Sequence, residues 1–576
     1  MSEPTIIERS IGDVSNSLAS LHPVIARIYA GRGVSELSEL DKGLETLLPD
    51  GAMLGVDAGV TRLVSALQQQ ESILIVGDFD CDGATSTTTA LLALRAFGFN
   101  QVDYLVPNRF EYGYGLSPEI VEVARQKQPD LIITVDNGIS SIEGVDRANE
   151  FGIDVIVTDH HLPGSVLPKA VAIINPNQAG CQFMAKSTCG AGVVFYLLIA
   201  LRRQLQQLGW FEKQGVKAPN LGNYLDLIAL GTVADVVPLE RNNRTLVHQG
   251  LARIRAGRAR PGLLALLEVA GRDHQRISSS DLGFAVAPRL NAAGRLDDIS
   301  LGIECLLEED SQRAREYAEQ LDALNRERRS IESEMQAQAM AYLESLDLSE
   351  AERPAGIALF NEQWHQGVIG ILASRVKEKL HRPVIVFAPG DEGEIKGSAR
   401  SIEGFHIRDG LDRIATEQPG LISKFGGHAM AAGLTIAKAD LARFEAAFAD
   451  EVTRQTRKED LDRVIETDGE LAPNQFTMEL AQMIQEAGPW GHQFPEPSFH
   501  GEFRLLQQRI VGQKHLKMVL QEPTTGLALD AIAFNVESDV WPNASINRVR
   551  AVYRLDINEF RGQRSLQLMV EWLKPL

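Results

Sequence analysis

Leu74-Ile75-Val76-Gly77-Asp78-Phe79-Asp80-Cys81-Asp82-Gly83-Ala84-Thr85-Ser86 is an apolar run that breaks into three acids at alternate positions. Carboxylates two residues apart repel one another unless a cation lies among them. Hard divalent ions take oxygen ligands, so Asp78, Asp80 and Asp82 form a candidate metal cradle. The run before them reads as a buried strand. Gly83 permits a sharp turn, and Ala84-Thr85-Ser86 opens a helix whose first amides favour an anion such as phosphate. An ordinary solvated strand-to-helix loop would carry the same residues, and the rest of the chain decides between the two.

Outward from that stretch, between about 55 and 240, further apolar runs at 102–106, 131–135, 155–157 and 172–174 alternate with helical stretches. This alternation predicts an α/β fold with a mostly parallel sheet covered by helices, whose ligands bind at the carboxyl ends of the strands. Polar residues fall at those ends. The run 131–135 delivers Asp136-Asn137-Gly138, the run 155–158 delivers Asp159-His160-His161, and the apolar segment 227–234 delivers Asp235. Each alone has an ordinary explanation as a turn, a cap or a solvated pair. Together they place four segment ends in one candidate cleft.

The 576 residues exceed what one core holds and predict three or four domains. A net charge of −20 excludes a uniformly basic coat for nucleic acid but not a local basic channel. Ser2-Glu3-Pro4 opens no apolar signal, and no window approaches 18 uninterrupted apolar residues, so a cytoplasmic location is expected. Cys81, Cys181, Cys189 and Cys305 lack zinc-site spacing and read as free thiols of a reducing compartment. Gly190-Ala191-Gly192 lacks the last glycine of a dinucleotide fingerprint. From 308 to 346 apolar residues keep to three- or four-residue steps, skipping only Arg328, which predicts one helix of roughly 55–60 Å able to join two lobes. Near the C-terminus Val549, Ala551, Tyr553, Leu555 and Ile557, then Leu566, Leu568, Val570 and Trp572, alternate about a turn at 558–562, which reads as a hairpin in a small barrel or sandwich.

Asp-Phe-Asp-Cys-Asp-Gly at 78–83, Val-Asp-Asn-Gly at 135–138, Asp-His-His at 159–161 and Gly-Thr-Val-Ala-Asp at 231–235 resemble the four motifs of the DHH phosphoesterases. More narrowly, Val-Pro-Asn-Arg at 106–109, Tyr112-Gly113-Tyr114-Gly115, Pro-Arg-Leu-Asn-Ala-Ala-Gly-Arg at 288–295 and Phe-Gly-Gly-His-Ala-Met-Ala-Ala-Gly at 425–433 resemble the RecJ family of bacterial single-strand-specific 5′-to-3′ exonucleases, and the resemblance spans nearly the whole chain. Ala399 departs from it, where a second glycine is common.

The resemblance implies an N-terminal segment over 1–50, a DHH catalytic domain over 51–305, a connecting helix over 306–350, a DHHA1 substrate domain over 351–455 and an OB-fold over 456–576. It implies Asp80, Asp82, Asp136, His160 and Asp235 as ligands of two divalent ions, Mn2+ or Mg2+, for which carboxylates with one imidazole are suited. Asp78 and Asp159 either ligate directly or orient the ligands. Adjacent strand-end side chains tend to diverge, so His161 reads as a phosphate-side hydrogen-bond donor or acid, the alternative being a structural or ligand-orienting histidine. Arg109, Tyr114, Arg289, Asn291 and Arg295 are candidate substrate contacts in loop-like surroundings. Ser398, Arg400, Gly426, Gly427 and His428 are candidates to seat nucleotides from the smaller domain. The implied activity is 5′-to-3′ digestion of single-stranded DNA to 5′-mononucleotides in repair and recombination, by a monomer partnered by a single-strand-binding protein and a RecQ-type helicase. The rival readings are an inactive single-strand-binding scaffold and a small-oligonucleotide phosphodiesterase.

Overall fold

The computed structural model describes residues 4–12, 16–107, 115–345, 354–391, 393–512, 514–536, 540–560 and 562–576. The chain divides into two compact units, one built from Glu8–Asp322 and Thr467–Leu576, the other from Met1–Ile7 and Ala323–Glu466.

In the first unit, α1 (Pro23–Ala30) and α2 (Val56–Gln69) precede the motif-bearing region, where strands and helices alternate: β1 (Ile73–Gly77), α3 (Cys81–Phe97), β2 (Val102–Leu105), α4 (Pro118–Arg125), β3 (Leu131–Val135), α5 (Ile142–Glu150), β4 (Asp154–Thr158) and β5 (Ala172–Ile174). All five strands are parallel, in the order β2-β1-β3-β4-β5. Every residue of β1 and β3 is buried, as a sheet covered on both faces requires. Ile75 and Ile133 face one layer with Leu63, Leu94 and Val194, while Leu74, Val76 and Ile132 face the other with Ile120, Val121 and Val145. The direction of winding reverses between β1 and β3, so the crevice at their carboxyl ends is the place such a sheet offers a ligand.

Among the further helices of this half are α6 (Gly190–Gln207), α7 (Leu225–Ala234), α8 (Arg241–Arg255) and α9 (Ala287–Leu296). The apolar segment 227–234 is therefore helical. An apolar run of this length fits either state by periodicity alone, and its Leu and Ala favour the helix. Arg289, Asn291 and Arg295 also lie on a helix, α9, rather than in loops. Pro288 hid it. A proline inside a helix has no N–H for the carbonyl four residues back and crowds it; here the preceding turn, Leu282–Val286, widens to a π-helix, with the Ala287 amide reaching the Leu282 carbonyl.

The long helix α10 (Ser311–Ser345) begins in the first unit and ends in the second. Its 35 residues span about 50 Å at 1.5 Å each, a little less than expected. Ala314, Ala318 and Leu321 are fully buried, as are Met335 and Ala339 further on. The skipped position is explained. Arg328 is buried as well, bonded to Glu332 (2.9 Å), which also binds Arg375 (3.0 Å), so an ion-pair network replaces an apolar contact there.

The second unit holds β6 (Ile357–Phe360), α11 (Ile369–Leu380), β7 (Val384–Pro389), β8 (Glu394–Arg400), α12 (Ile407–Glu417), β9 (Lys424–Gly427), β10 (Ala431–Ala437) and α13 (Leu441–Gln455). Its sheet runs β9-β10-β8-β7-β6, antiparallel except between β6 and β7.

After α14 (Met478–Ala487) the chain closes a barrel in the first unit from β11 (Phe499–Val511), β12 (His515–Gln521), β13 (Ala528–Ala533), β14 (Arg548–Phe560) and β15 (Gln563–Pro575). The order β11-β12-β13-β15-β14, closed by β11 on β14, is that of an OB-fold. The hairpin of β14 and β15 forms where the alternation placed it. Among the described residues, no helix is long and apolar enough to cross a membrane.

Candidate active site

The strand ends and the end of α7 bring six acids and two imidazoles together. Asp78 follows β1 and accepts the Phe79 amide at 2.8 Å. Asp80 caps α3, its Oδ1 accepting the Asp82 and Gly83 amides at 2.9 and 3.0 Å. Asp136 follows β3 with φ of +62°, a conformation few side chains adopt. Asp159 and both histidines follow β4. Asp235 ends α7, bonding back to the Gly231 carbonyl. Nε2 of His160 lies 3.0 Å from Asp136 Oδ1 and 3.4 Å from Asp235 Oδ2. Potential ligand atoms of Asp78, Asp80 and Asp136 lie within 4.8 Å of one another, as do those of Asp82, His160 and Asp235, and those of Asp136, His160 and His161.

This geometry opposes ionisation. Burial pushes the Asp82 carboxyl up to about 6, reinforced by the charge of Asp80, although the amides of Gly190 and Ala191 pull the other way. Burial first, then Asp82 and Asp80, drives Asp136 and Asp235 far above the usual carboxylate range. A cation among these groups offsets both penalties, and a set of carboxylate oxygens with one imidazole fits Mn2+ or Mg2+.

Asp159 plays a different part. Its Oδ1 accepts the amides of His160 (2.7 Å) and His161 (3.0 Å) and contacts His161 Nδ1 at 2.7 Å, while Oδ2 accepts the Ile139 amide at 2.9 Å. Burial would raise its carboxyl, but the His161 ring and these amides outweigh it and hold the group below its ordinary value. Burial lowers His161, and Asp159 more than compensates, so the imidazole is held above its ordinary value. The two histidines thus diverge: His160 faces Asp136 and Asp235, whereas His161 is oriented by Asp159.

Several supporting residues are not among the site candidates that the sequence singles out. The amides of Gly190 and Ala191, at the start of α6, donate to Asp82 at 2.6 and 3.0 Å. A Cβ on Gly190 would lie 2.6 Å from that of Asp136. The stretch set aside as a failed dinucleotide fingerprint is a helix N-terminus spent on a carboxylate of the protein itself. Asn177 and Asn175 hold the carbonyls of His160 and His161 at 2.6 and 2.9 Å, and Asn137 ties Val76 to Val135.

Helix α9 is pressed onto the acidic turn, since a Cβ on Gly294 would meet the Phe79 carbonyl at 1.9 Å. Asn291 Oδ1 accepts the Cys81 amide at 2.8 Å, so its side chain seats the acidic turn. Arg289 is bonded to Asp322 at 2.8 Å and to the Ala285 carbonyl. Arg295 lies on the same helix. Arg109 and Tyr114 lie outside the described residues. Four arginines fall between 253 and 260; of these, Arg255 binds the Ile277 carbonyl, Arg260 the carbonyls of Leu306 and Leu307, and Arg253 approaches Asp226 at 3.8 Å, so these three brace the fold. In the barrel, Lys517 pairs with Asp530 and Arg554 with Glu496 and Glu571.

In the second unit, Ser398 and Arg400 point to the same side of β8, with Arg400 Nη1 donating to Ser398 Oγ at 3.2 Å, and burial lowers the guanidinium. Gly426 pairs with Gly433, Gly427 adopts φ of +146°, and the His428 amide closes the hairpin onto the Ala431 carbonyl at 2.8 Å. Trp364 is buried, bonded to Gln338 of α10 at 2.9 Å.

Comparison with known proteins agrees with this geometry. The family model of the DHH family, N-terminal domain, matches residues 72–232, that of the DHHA1 domain residues 354–454, and that of the RecJ OB domain residues 467–572. The single-stranded-DNA-specific exonuclease RecJ of Escherichia coli is 52% identical over 568 residues, covering 99% of this chain and 98% of its own. The protein of the same name from Dickeya dadantii is 55% identical over 557 residues, covering 97% of each. The crystal structure of RecJ in complex with Mn2+ from Thermus thermophilus superposes with a TM-score of 0.80 at 29% identity, covering 99% of this chain and 79% of that one. The chain belongs to the RecJ family of single-stranded-DNA-specific exonucleases.

Proposed function

We propose that this chain hydrolyses single-stranded DNA from its 5′ end and releases 5′-mononucleotides. The observation that carries the reading is the meeting of Asp80, Asp82, Asp136, Asp235 and His160 at the switch point of the sheet, where burial and mutual repulsion hold the carboxyls of Asp82, Asp136 and Asp235 away from ionisation. These five would hold two divalent ions, Mn2+ or Mg2+, and Asp78 and Asp159 would orient them. Such a pair, when bound, supplies an activated water and relief of charge on the leaving oxygen.

The remaining steps belong to the chain. His161, held toward its protonated form by Asp159, donates to the phosphate being cleaved. Asn291 and the amides of Gly190 and Ala191 keep the acids from drifting as charge changes. Arg109, Tyr114, Arg289 and Arg295 are assigned to the strand near its terminal phosphate. Ser398, Arg400 and the 426–428 turn are assigned to nucleotides bound by the residues 351–455, and the barrel from 456 to single-stranded DNA. Four buried free cysteines suit a reducing cytoplasm. A monomeric state and partnership with a single-strand-binding protein and a RecQ-type helicase belong to the same reading and are checked by sedimentation and pull-down.

The test is digestion of one oligonucleotide labelled separately at each end, single-stranded and annealed, with Mn2+, Mg2+ or chelator. Prompt release of a labelled mononucleotide from the 5′ end of the single strand, lost with chelator, is the expected result. Cleavage confined to di- and trinucleotides, or binding without cleavage, would replace this reading.

A further inference from the structure

The turn that joins α14 to the barrel touches the segment that follows Asp235 and the helical run that leads into α9. His492 Nδ1 donates to the Val236 carbonyl at 2.7 Å, and the His492 carbonyl accepts the Leu239 amide at 2.9 Å. Gly491 presses on the same segment, where a Cβ would lie 2.7 Å from Leu239 Cδ1. One residue earlier, the Trp490 carbonyl accepts the hydroxyl of Ser279, at the start of the helical run that continues into α9. The turn is stiff. Gly491 and Phe494 exchange both backbone bonds, and Trp490 stacks on Phe494 with ring centroids 5.3 Å apart.

What this turn holds is unusual. Val236, next to Asp235, has φ of +58°, which a β-branched residue avoids. It is 62% exposed, so burial does not keep it there. The two bonds between His492 and Val236 and Leu239 hold the strained residue and the segment just after it.

We infer that His492 is a positioning residue for the metal centre: by holding Val236 in its left-handed conformation, it fixes where α7 ends and where the Asp235 carboxylate points. This rests on the reading of Asp235 as a metal ligand, and it makes the barrel-proximal turn a support of catalysis as well as a tether.

The test titrates Mn2+ into the metal-free full-length chain and reads free Mn2+ by its EPR signal, with the unfolding midpoint of each variant measured alongside. His492→Leu should weaken Mn2+ binding about tenfold, the lower end for a residue supporting a ligand. His492→Asn, whose carboxamide N–H replaces Nδ1–H, should stay within about twofold of wild type. Adding Val236→Asn, a residue at ease with positive φ, to His492→Leu should restore affinity. The inference is overturned if His492→Leu binds Mn2+ like wild type, if the Asn variant is as weak as the Leu variant, or if Val236→Asn fails to rescue. Absence of Mn2+ binding by the wild-type protein would instead overturn the metal reading on which it rests.

Discussion

Replacing Asn291 by alanine separates two roles that a sequence motif confounds. In the structure its Oδ1 accepts the Cys81 amide at 2.8 Å, in the first turn of α3, where backbone N–H groups have no partner within the helix. Removing the acceptor costs about 1 kcal/mol if water replaces it and up to about 3 kcal/mol if the buried amide stays dry. If that cost falls on the conformation that binds metal, Mn2+ affinity drops by roughly 5- to 150-fold, at 1.4 kcal/mol for each factor of ten. The assay is a Mn2+ binding isotherm on chelator-treated protein, paired with digestion kinetics at saturating Mn2+. Asn291→Asp keeps the acceptor and should bind Mn2+ within about threefold of wild type. A residue that only contacted DNA would raise KM and leave the isotherm unmoved; that pattern in Asn291→Ala would refute the reasoning.

Other expectations follow from the same geometry. Asp82→Ala and Asp136→Ala should each lower cleavage by about three orders of magnitude or more, the several kcal/mol that metal catalysis supplies, with far-UV spectra unchanged; an active, well-folded variant would remove that residue from the ligand set. Mn2+ at 100 times its Kd should raise unfolding stability by about 2.7 kcal/mol, and EDTA should abolish the gain in calorimetry. Gly190→Ala should lose Mn2+ affinity, since its Cβ would lie 2.6 Å from the Asp136 Cβ, whereas Gly51→Ala, with open space around it, should not. Burial first, then Lys42 and Arg255, pulls His248 down to about 4. Between that value and the ordinary 6.5 the unfolded chain binds more protons, so this contribution to stability is full above pH 6.5 and is lost as pH falls toward 4. Denaturant midpoints at pH 7 and pH 5 should therefore differ less in His248→Gln than in wild type.

The parallel sheet was legible because buried strands of such a sheet read as apolar runs ending in polar residues, and Asp78, Asp136 and Asp159 mark three of those ends. The barrel hairpin was legible from period-two alternation. Asp235 was found as a site candidate, but its segment was not recognised as a helix, because a short apolar run surrounded by protein has no face to reveal its period. Arg289, Asn291 and Arg295 were found while Pro288 and the glycines masked their helix, whose π turn no local pattern encodes. The amides of Gly190 and Ala191 could not be read at all, since a backbone N–H has no letter and these two lie more than a hundred residues from Asp82.

The bond from His492 to Val236 joins residues 256 positions apart in the chain. At about 5–20 residues per second, a ribosome needs roughly 13–50 s to pass from one to the other. During that interval the four acidic motifs have already been synthesised, and the strained turn after Asp235 still lacks its brace. A nascent or prematurely terminated chain therefore carries every acid of the cluster without the support that fixes the last of them. The order of synthesis withholds this brace from the acid cluster until His492 has been made.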